Sequence, residues 1–411
     1  MERAAFVLFA ANVAFAILSV IGQVGQNVSL PLWLAAAQQN TSGNASGDEN
    51  ADSMGPYFVL SFSSLAFVVV FGLATLISFA LFPRRVTREE LAFPQWQLFL
   101  VGLFDSLNGL FVVYASPPVR TAPFLQAILG NFLIPLTIVF RLLIIRKRPT
   151  LLKLCCAGAV LIGLLASLIP IMSGDNSDPQ DKQAWLQQPI AARVLWPLCF
   201  MFGFVPAALM NVFQEKGLKD SRKVNLLYYL FWINLHQLWV TALLFWFDIV
   251  PYFGTSNGIQ QFGRSYWFSV KCFFGGAGCN SSAGVRGTVF IAMYVLSYVA
   301  QGLLIRYAEG ATLLAIVQAV VSPLGALFWS LFSCVDGCDT IEWGPNATSL
   351  TYYSIGGLIL IVPAIFLYNM PQSDVLKCFI CRCARRYNAS YPAIQAEETE
   401  PFLKGVKYDK P

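Results

Sequence analysis

Gly109-Leu-Phe-Val-Val-Tyr114-Ala115 returns as Gly302-Leu-Leu-Ile-Arg-Tyr307-Ala308, 193 residues later. Just downstream, Leu125-x-Ala-Ile-Leu running on to Pro135 returns as Leu313-x-Ala-Ile-Val running on to Pro323, 188 residues later. Two matched blocks in the same order, both inside long apolar runs, make this a repeat of membrane helices. An odd number of spans per half inverts one half against the other, a construction that places a solute site near the bilayer midplane.

The composition of the 411 residues agrees: 56% are apolar, 14% aromatic and only 12% charged, where soluble proteins carry about 25% charged residues. Charge-free runs long enough to cross about 30 Å of hydrocarbon recur along the chain. Backbone groups in lipid must bond within their own segment, so the runs read as helices. Ten spans are expected, at roughly 5–26, 57–82, 96–114, 119–141, 152–172, 193–215, 225–248, 287–306, 310–332 and 350–369. Five per half puts the repeated blocks on spans 3–4 and 8–9. The fold class is therefore an all-α polytopic membrane protein of two inverted five-helix repeats. The first span is too long for a signal peptide and lacks a clear cleavage site, so it reads as a retained helix.

Lys and Arg set the orientation. With both termini on one side, that side holds 21 of the 27 basic residues, which makes both termini cytosolic. The net charge of +5 reflects this bias; no basic patch interleaved with aromatics suggests a nucleic-acid partner. The opposite, lumenal side carries the N-x-S/T sequons at Asn40, Asn44, Asn280 and Asn346, which are candidate glycosylation sites. Asn27 has the same pattern but lies too near the membrane, and Asn388 falls on the cytosolic side. Cys272 and Cys279 share one lumenal loop and Cys334 and Cys338 another, so two local disulfides are expected in oxidising surroundings. Cys378, Cys381 and Cys383 sit among basic residues past the last span, which suits palmitoylation beside anionic lipid.

The chain divides into a first half, 1–172, with a lumenal loop at about 27–56; a lumenal connection, 173–192; a second half, 193–370, with a cysteine loop at about 250–286; and a cytosolic tail, 371–411. The aromatic, Gly-rich cysteine loop has the composition of short interfacial helices. The tail contains Tyr391-Pro-Ala-Ile394, which has the form of an endolysosomal sorting signal read by an adaptor.

Ionisable groups inside lipid are costly and mark function by default. Asp105 in span 3 and His236 in span 7 lie mid-span. Asp105 could carry a proton or face a cationic solute; its plain alternative is a structural hydrogen bond. His236 has the pKa class of a pH switch, and its plain alternative is a packed core residue. Asn108 and Gln301 occupy equivalent places before the repeated Gly-Leu. With Gln126, Asn131, Gln237 and Gln318 they form a set of solute-contacting candidates, because amides in lipid turn towards the bundle interior. Asn211 belongs to the same amide-bearing faces. Pro135 and Pro323 break the repeated helices at matching points. No phosphate-cradling Gly-x-x-x-x-Gly-Lys, metal-ligand cluster or catalytic triad appears, so neither an enzyme nor a cofactor is expected.

These residues resemble the drug/metabolite transporter superfamily and, within it, the chloroquine-resistance-transporter-like (CRT-like) family. The likeness covers roughly 95–370 and rests on several blocks in order. Leu103-Phe-Asp105-Ser leads to Tyr114-Ala115; Ala122-x-x-Leu-Gln126 is followed by Ile134-Pro135. Asn211 with Glu215-Lys216, Gln237-Leu238, and Ile316-Val317 running to Pro323 complete it. The resemblance implies a proton-coupled carrier that moves small nutrients out of an acidic vacuole or lysosome-like compartment. The nutrients would be amino acids, short peptides or glutathione-like thiols, with cationic drugs as adventitious substrates. On that model Asp105 and Glu215 face the cavity or its gate and couple protons, with ordinary solvation as the equal alternative for Glu215, near the cytosolic end of span 6. Its partners would be a small-molecule solute, protons and the bilayer. Two alternatives stand beside it: a nucleotide-sugar or phosphorylated-metabolite carrier of the same superfamily, which normally needs basic cavity residues, and a non-transporting receptor or scaffold.

Overall fold

The computed structural model describes residues 2–36, 54–81, 93–116, 120–121, 126, 129–146, 149–167, 169, 189–220, 225–276, 279–308, 310–335, 340–345 and 349–369. Helices α1 (Glu2–Ala36), α2 (Pro56–Leu81), α3 (Gln95–Ala115), α4 (Leu133–Phe140), α5 (Leu151–Ser167), α6 (Ile190–Asp220) and α7 (Leu226–Leu243) come first. After a 3-10 turn at Phe245–Ile249 come α8 (Ile259–Phe273), α9 (Ala283–Tyr307), α10 (Ala311–Gln318) and α11 (Val321–Leu331). An antiparallel hairpin of β1 (Phe332–Val335) and β2 (Thr340–Trp343) then leads into α12 (Ser349–Asn369).

Among the described residues, eight helical stretches are long and apolar enough to cross a bilayer. They lie in α1, α2, α3, α6, α7, α9, the α10–α11 pair and α12. The apolar stretches Leu133–Ile145 and Leu151–Ser167 are shorter. The protein is thus a polytopic membrane protein, and its described residues are mostly helical.

The boundaries depart from the sequence reading where local chemistry overrides hydropathy. The first helix does not end near residue 26, as hydropathy predicts, but continues to Ala36, so Asn27 lies on it. Its last turns are apolar, and Trp33, fully buried, packs edge-on against Phe58 and Phe273. The fourth span is not one straight helix. It turns at Asn131–Phe132, and the regular helix starts at Leu133. Pro135 lacks an N–H and its ring collides with the carbonyl four residues back, that of Asn131. The ninth span turns at Ala319–Val320, four residues before Pro323, for the same reason. The two turns are 188 residues apart, the offset of the repeat. The α11–α12 connection holds the small hairpin, which hydropathy alone does not reveal.

The largest helix contacts are α1 with α9, α3 with α6, α5 with α12, α2 with α7 and α3 with α7; α4 packs mainly on α6 and to a lesser extent on α10. Small residues allow such close approach, since helices in lipid associate by packing. A Cβ at Gly22 on α1 would lie 2.8 Å from the Met293 carbonyl oxygen of α9, and one at Gly203 on α6 would lie 2.9 Å from Val112 of α3. At Gly102 the contact is with backbone: a Cβ would stand 2.8 Å from Gln237 N and Ile233 O. Gly102→Val is therefore expected to push α3 and α7 apart at a cost of about 1–3 kcal/mol, read as a lower thermal midpoint of the detergent-solubilised protein. An unchanged midpoint would remove this contact from the account.

Cys272 and Cys279 are joined by a disulfide, with Cα atoms 5.4 Å apart. The end of the bundle that carries it, where α3 and α7 finish and α2 and α9 begin, is called the disulfide end below. Asn280 lies there, its N–H bonded to the Ala36 carbonyl at 3.2 Å and its Oδ1 accepting from Ser282 N at 2.9 Å. Asn40, Asn44, Asn346, Cys338, Asn388, Cys378, Cys381, Cys383 and Tyr391–Ile394 lie outside the described residues, and with Cys338 so does its expected pairing with Cys334.

Candidate functional site

On α3, the helical period puts Leu98, Val101, Gly102, Asp105 and Ser106 on the buried face. Asp105 is 7% exposed and accepts a hydrogen bond from the phenol of Tyr298 on α9. The two residues are 193 apart, the offset of the first repeated block. An acid and a phenol that stand at that offset thus bond to each other. A carboxylate in low dielectric is costly unless partnered. Among the described residues no basic side chain forms an ion pair with Asp105, so the phenol is its hydrogen-bonding partner there. The Tyr298 ring is in turn held by Phe67 and Phe71 of α2 and by Tyr294, at centroid separations of 5.4, 6.4 and 5.0 Å.

Further polar groups lie on the helices that carry or adjoin this pair. Gln301 is buried and donates to Ser297 Oγ at 2.8 Å; its repeat counterpart Asn108 is half-buried. Ser106 donates to the Gln237 carbonyl at 2.9 Å and bonds Thr241 Oγ1 at 3.2 Å, tying α3 to α7. The side-chain oxygens of Asn211, Asn234, Gln237 and Gln318 are buried and have no hydrogen-bond partner among the described residues. They come from α6, α7 and α10, each packed against α3 or α9. Open buried acceptors are uncommon in folded proteins, and a polar solute or water would satisfy them. By contrast, a groove of about 410 Å³ between α1, α10, α11 and α12 is lined by apolar side chains such as Val13, Val20, Val317 and Phe366. It offers a polar solute nothing.

Each end of the bundle has its own buried carboxylate. At the end opposite the disulfide, Glu215 of α6 is 1% exposed. Its Oε1 receives Arg141 Nη2 at 2.9 Å, and Arg141 Nε lies 3.1 and 3.0 Å from the two oxygens. Lys219 Nζ stands 3.4 Å away, and the Ala311 N–H donates to Oε2 at 2.9 Å. Arg141 opens the π-helical turn Arg141–Ile145 that ends the fourth span. Gly310 has φ of 92°, and the Glu215 carboxyl group fills the place a Cβ would take. One acid therefore gathers α6, the end of span 4 and the start of α10.

At the disulfide end, Asp248 is 3% exposed. It accepts from Tyr114 Oη at 2.7 Å, Thr255 Oγ1 at 2.9 Å and Ser256 Oγ at 2.7 Å. Arg120 donates to the carbonyls of Tyr114 at 2.8 Å and Gly254 at 3.4 Å, with its guanidinium 4.1 Å from the Trp196 ring centroid. Gln126 donates to the carbonyls of Ser116 and Thr121, the latter at 2.7 Å, so its amide N–H groups close the turn after α3. Asp248→Ala would leave the buried hydroxyls of Tyr114 and Ser256, and that of exposed Thr255, without their charged acceptor. We expect a loss of about 2–3 kcal/mol in unfolding free energy, from the usual worth of hydrogen bonds to charged groups. A change below about 0.5 kcal/mol in chemical denaturation would contradict this.

The sequence-predicted residues are therefore distributed over three layers. Asp105, Asn108, Gln237 and Gln301 belong to the elements around the midpoint, together with Gln318, which precedes one proline-linked turn, and Asn131, which lies in the other; Glu215 is at one end and Gln126 at the other. His236 is half-buried on α7, bonded to Gln95 at 3.2 Å and packed on Phe99 and Trp232. Gln95 starts α3, about 15 Å along the helix from Asp105 at 1.5 Å per residue. Sequence reasoning does not single out Tyr298, Asp248 or Arg120. Tyr298 carries a signal, since the repeat offset points from Asp105 to it.

Residues 52–368 match the CRT-like family, described as chloroquine-resistance transporter-like. The chain belongs to the CRT-like family. Two similar proteins are Crt homolog 2 of Dictyostelium discoideum, 23% identical over 76% of this chain and 65% of its own, and Crt homolog 3 of the same organism, 26% identical over 67% of this chain and 58% of its own. The chain thus spans less than two thirds of the length of these relatives. "Protein CLT2, chloroplastic" of Arabidopsis thaliana is 22% identical over 77% of this chain and 70% of its own. The family match covers all three layers, from Asp105 through Glu215 and Asp248 to Gln318.

Proposed function

We propose that this CRT-like chain is a secondary-active, proton-coupled carrier that moves small nutrients out of an acidic vacuole or endolysosome-like compartment into the cytosol. The solutes are amino acids, short peptides or glutathione-like thiols, and cationic drugs are adventitious cargo. The observation that carries this reading is the Asp105–Tyr298 hydrogen bond, a buried acid bridging two helices at positions the repeat makes equivalent. A group that both halves touch can report its protonation to both.

The carrier has ten spans in two inverted five-helix halves, with both termini cytosolic and the disulfide end lumenal. The helix pairing supports this: exchanging the halves turns the α1–α9 pair into the α6–α3 pair and maps the α2–α7, α5–α12 and α4–α10 pairs onto themselves. The matching turns before Pro135 and Pro323 support it too. Glu215 then clasps the cytosolic mouth and Asp248 the lumenal mouth, while Asp105 and the open amide acceptors of α6, α7 and α10 hold solute and proton between them. In alternating access each clasp opens in turn. Glycans at Asn40, Asn44, Asn280 and Asn346 and an adaptor-read signal at Tyr391–Ile394 fit an endolysosomal membrane.

The test is uptake by liposomes containing purified protein, under an imposed pH gradient, of radiolabelled cationic amino acids, dipeptides and glutathione. Uptake of at least one class that disappears when an ionophore collapses the gradient is the expected result. No uptake of any class by folded protein would overturn the reading.

A further inference from the structure

Helix α8 is 15 residues long, about 22 Å at 1.5 Å per residue, too short to cross about 30 Å of hydrocarbon. Its inner face is committed to the bundle. Phe268, Ser269 and Cys272 are buried, Tyr266 meets the Phe58 ring at 5.5 Å, and Phe273 meets the Phe62 ring at 4.5 Å. Its outer face is a single stripe. Gln260, Arg264, Trp267 and Lys271 follow one another at four-, three- and four-residue steps, and all are exposed.

Two features of this stripe point to an occupant. The first is charge: residues 257–276 contain no Asp or Glu, and among the described residues neither Arg264 nor Lys271 forms an ion pair. At the same end Arg120 and Arg286 are spent on backbone carbonyls, Arg286 on that of Leu32 at 3.0 Å. The second is the apolar company these cations keep. Trp267 is 58% exposed, Ile259 60% and Phe274 75%, and the Lys271 ammonium lies 5.7 Å from the Trp267 ring centroid. Water would solvate the two cations but not these three side chains. An acyl interior would take the side chains but not the cations. A headgroup layer takes both, because indole and phenyl rings settle at the membrane interface while Lys and Arg reach the phosphates.

We infer that the outer face of α8 is a binding surface for anionic phospholipid headgroups in the leaflet at the disulfide end. Arg264 and Lys271 contact the lipid phosphates, and Trp267 with Phe274 enters the layer beneath them. Because the disulfide and the aromatic contacts fix α8 to α2 and α9, bound lipid bears on the ends of those two helices. The inference stands independently of the transported solute and of which side of the membrane is cytosolic.

The test uses the full chain in nanodiscs of phosphatidylcholine, titrated with phosphatidylserine, and reads no transport. The first readout is quenching by lipids brominated near the headgroup, with Trp267→Phe subtracted from wild type to isolate Trp267. The second is the relative affinity of phosphatidylserine over phosphatidylcholine, from energy transfer to a labelled lipid. We expect Trp267 to be quenched, and phosphatidylserine selectivity to fall about fivefold for each of Arg264→Gln and Lys271→Gln, the equivalent of about 1 kcal/mol per cation near an anionic surface. Both substitutions are on an exposed face, and an intact Cys272–Cys279 disulfide with unchanged helix content certifies folding. Arg264→Glu should abolish the selectivity. An unquenched Trp267, selectivity unchanged in the variants, or equal competition by free inorganic phosphate would each overturn the inference.

Discussion

Glu215→Ala is expected to lower the unfolding free energy by about 3–5 kcal/mol, the usual cost of breaking a buried ion pair by removing one partner. The penalty arises from what stays behind. Arg141, itself 7% exposed, would keep its charge without its two-point acceptor, and the Ala311 N–H would lose its bond. Glu215→Gln separates these losses, because an amide oxygen can still accept from Ala311 while the charge is gone. Its cost should fall between wild type and alanine. Arg141→Lys keeps the charge but not the planar fork that lies along both carboxylate oxygens. Chemical denaturation in detergent measures all three, and an alanine effect under about 1 kcal/mol would mean that the clasp contributes little to the fold.

The second large effect concerns transport. Asp105→Asn keeps the shape of the side chain but cannot exchange a proton, so gradient-driven uptake should fall to a small residual rate, below that of Tyr298→Phe, while the protein stays folded. Tyr298→Phe removes only the hydroxyl. A hydrogen bond to a charged group contributes about 1.5–3 kcal/mol, so uptake should fall about 10- to 100-fold. The substituted ring keeps its aromatic contacts with Phe67, Phe71 and Tyr294, so stability should change far less than uptake. Near-normal uptake in Asp105→Asn would remove Asp105 from the coupling mechanism.

How much of this is legible in the sequence varies by residue, and for physical reasons. The apolar runs locate most of the helices and the paired prolines the two turns, although Pro31, Pro197, Pro206 and Pro363 lie inside helices that run on unbroken. Asp105 stands out by the cost of charge in lipid. Tyr298 does not, because the eye matches like with like: Asn108 with Gln301, Tyr114 with Tyr307. An acid facing a phenol across the same axis looks like a mismatch. Asp248 and Arg120 escape notice because ionisable groups at span ends are usually solvated, and only the fold reveals how far each is covered. His236 shows another limit of the sequence. Counting residues puts it mid-span, but hydropathy says nothing of azimuth, and the side chain stands beside Gln95 and two rings. The extension of α1 to Ala36 is hidden by Gln26 and Asn27, two polar residues that a helix end tolerates well.

The central claim is that Asp105 and Tyr298 act as one unit shared by the two halves. A double-mutant cycle on gradient-driven uptake, with Asp105→Asn, Tyr298→Phe and the pair together in liposomes, tests it most directly. If the two act as a unit, the double variant should be no more impaired than Asp105→Asn alone, since the hydroxyl matters only through the carboxylate. Losses that simply multiply would show two independent contributions and contradict the claim.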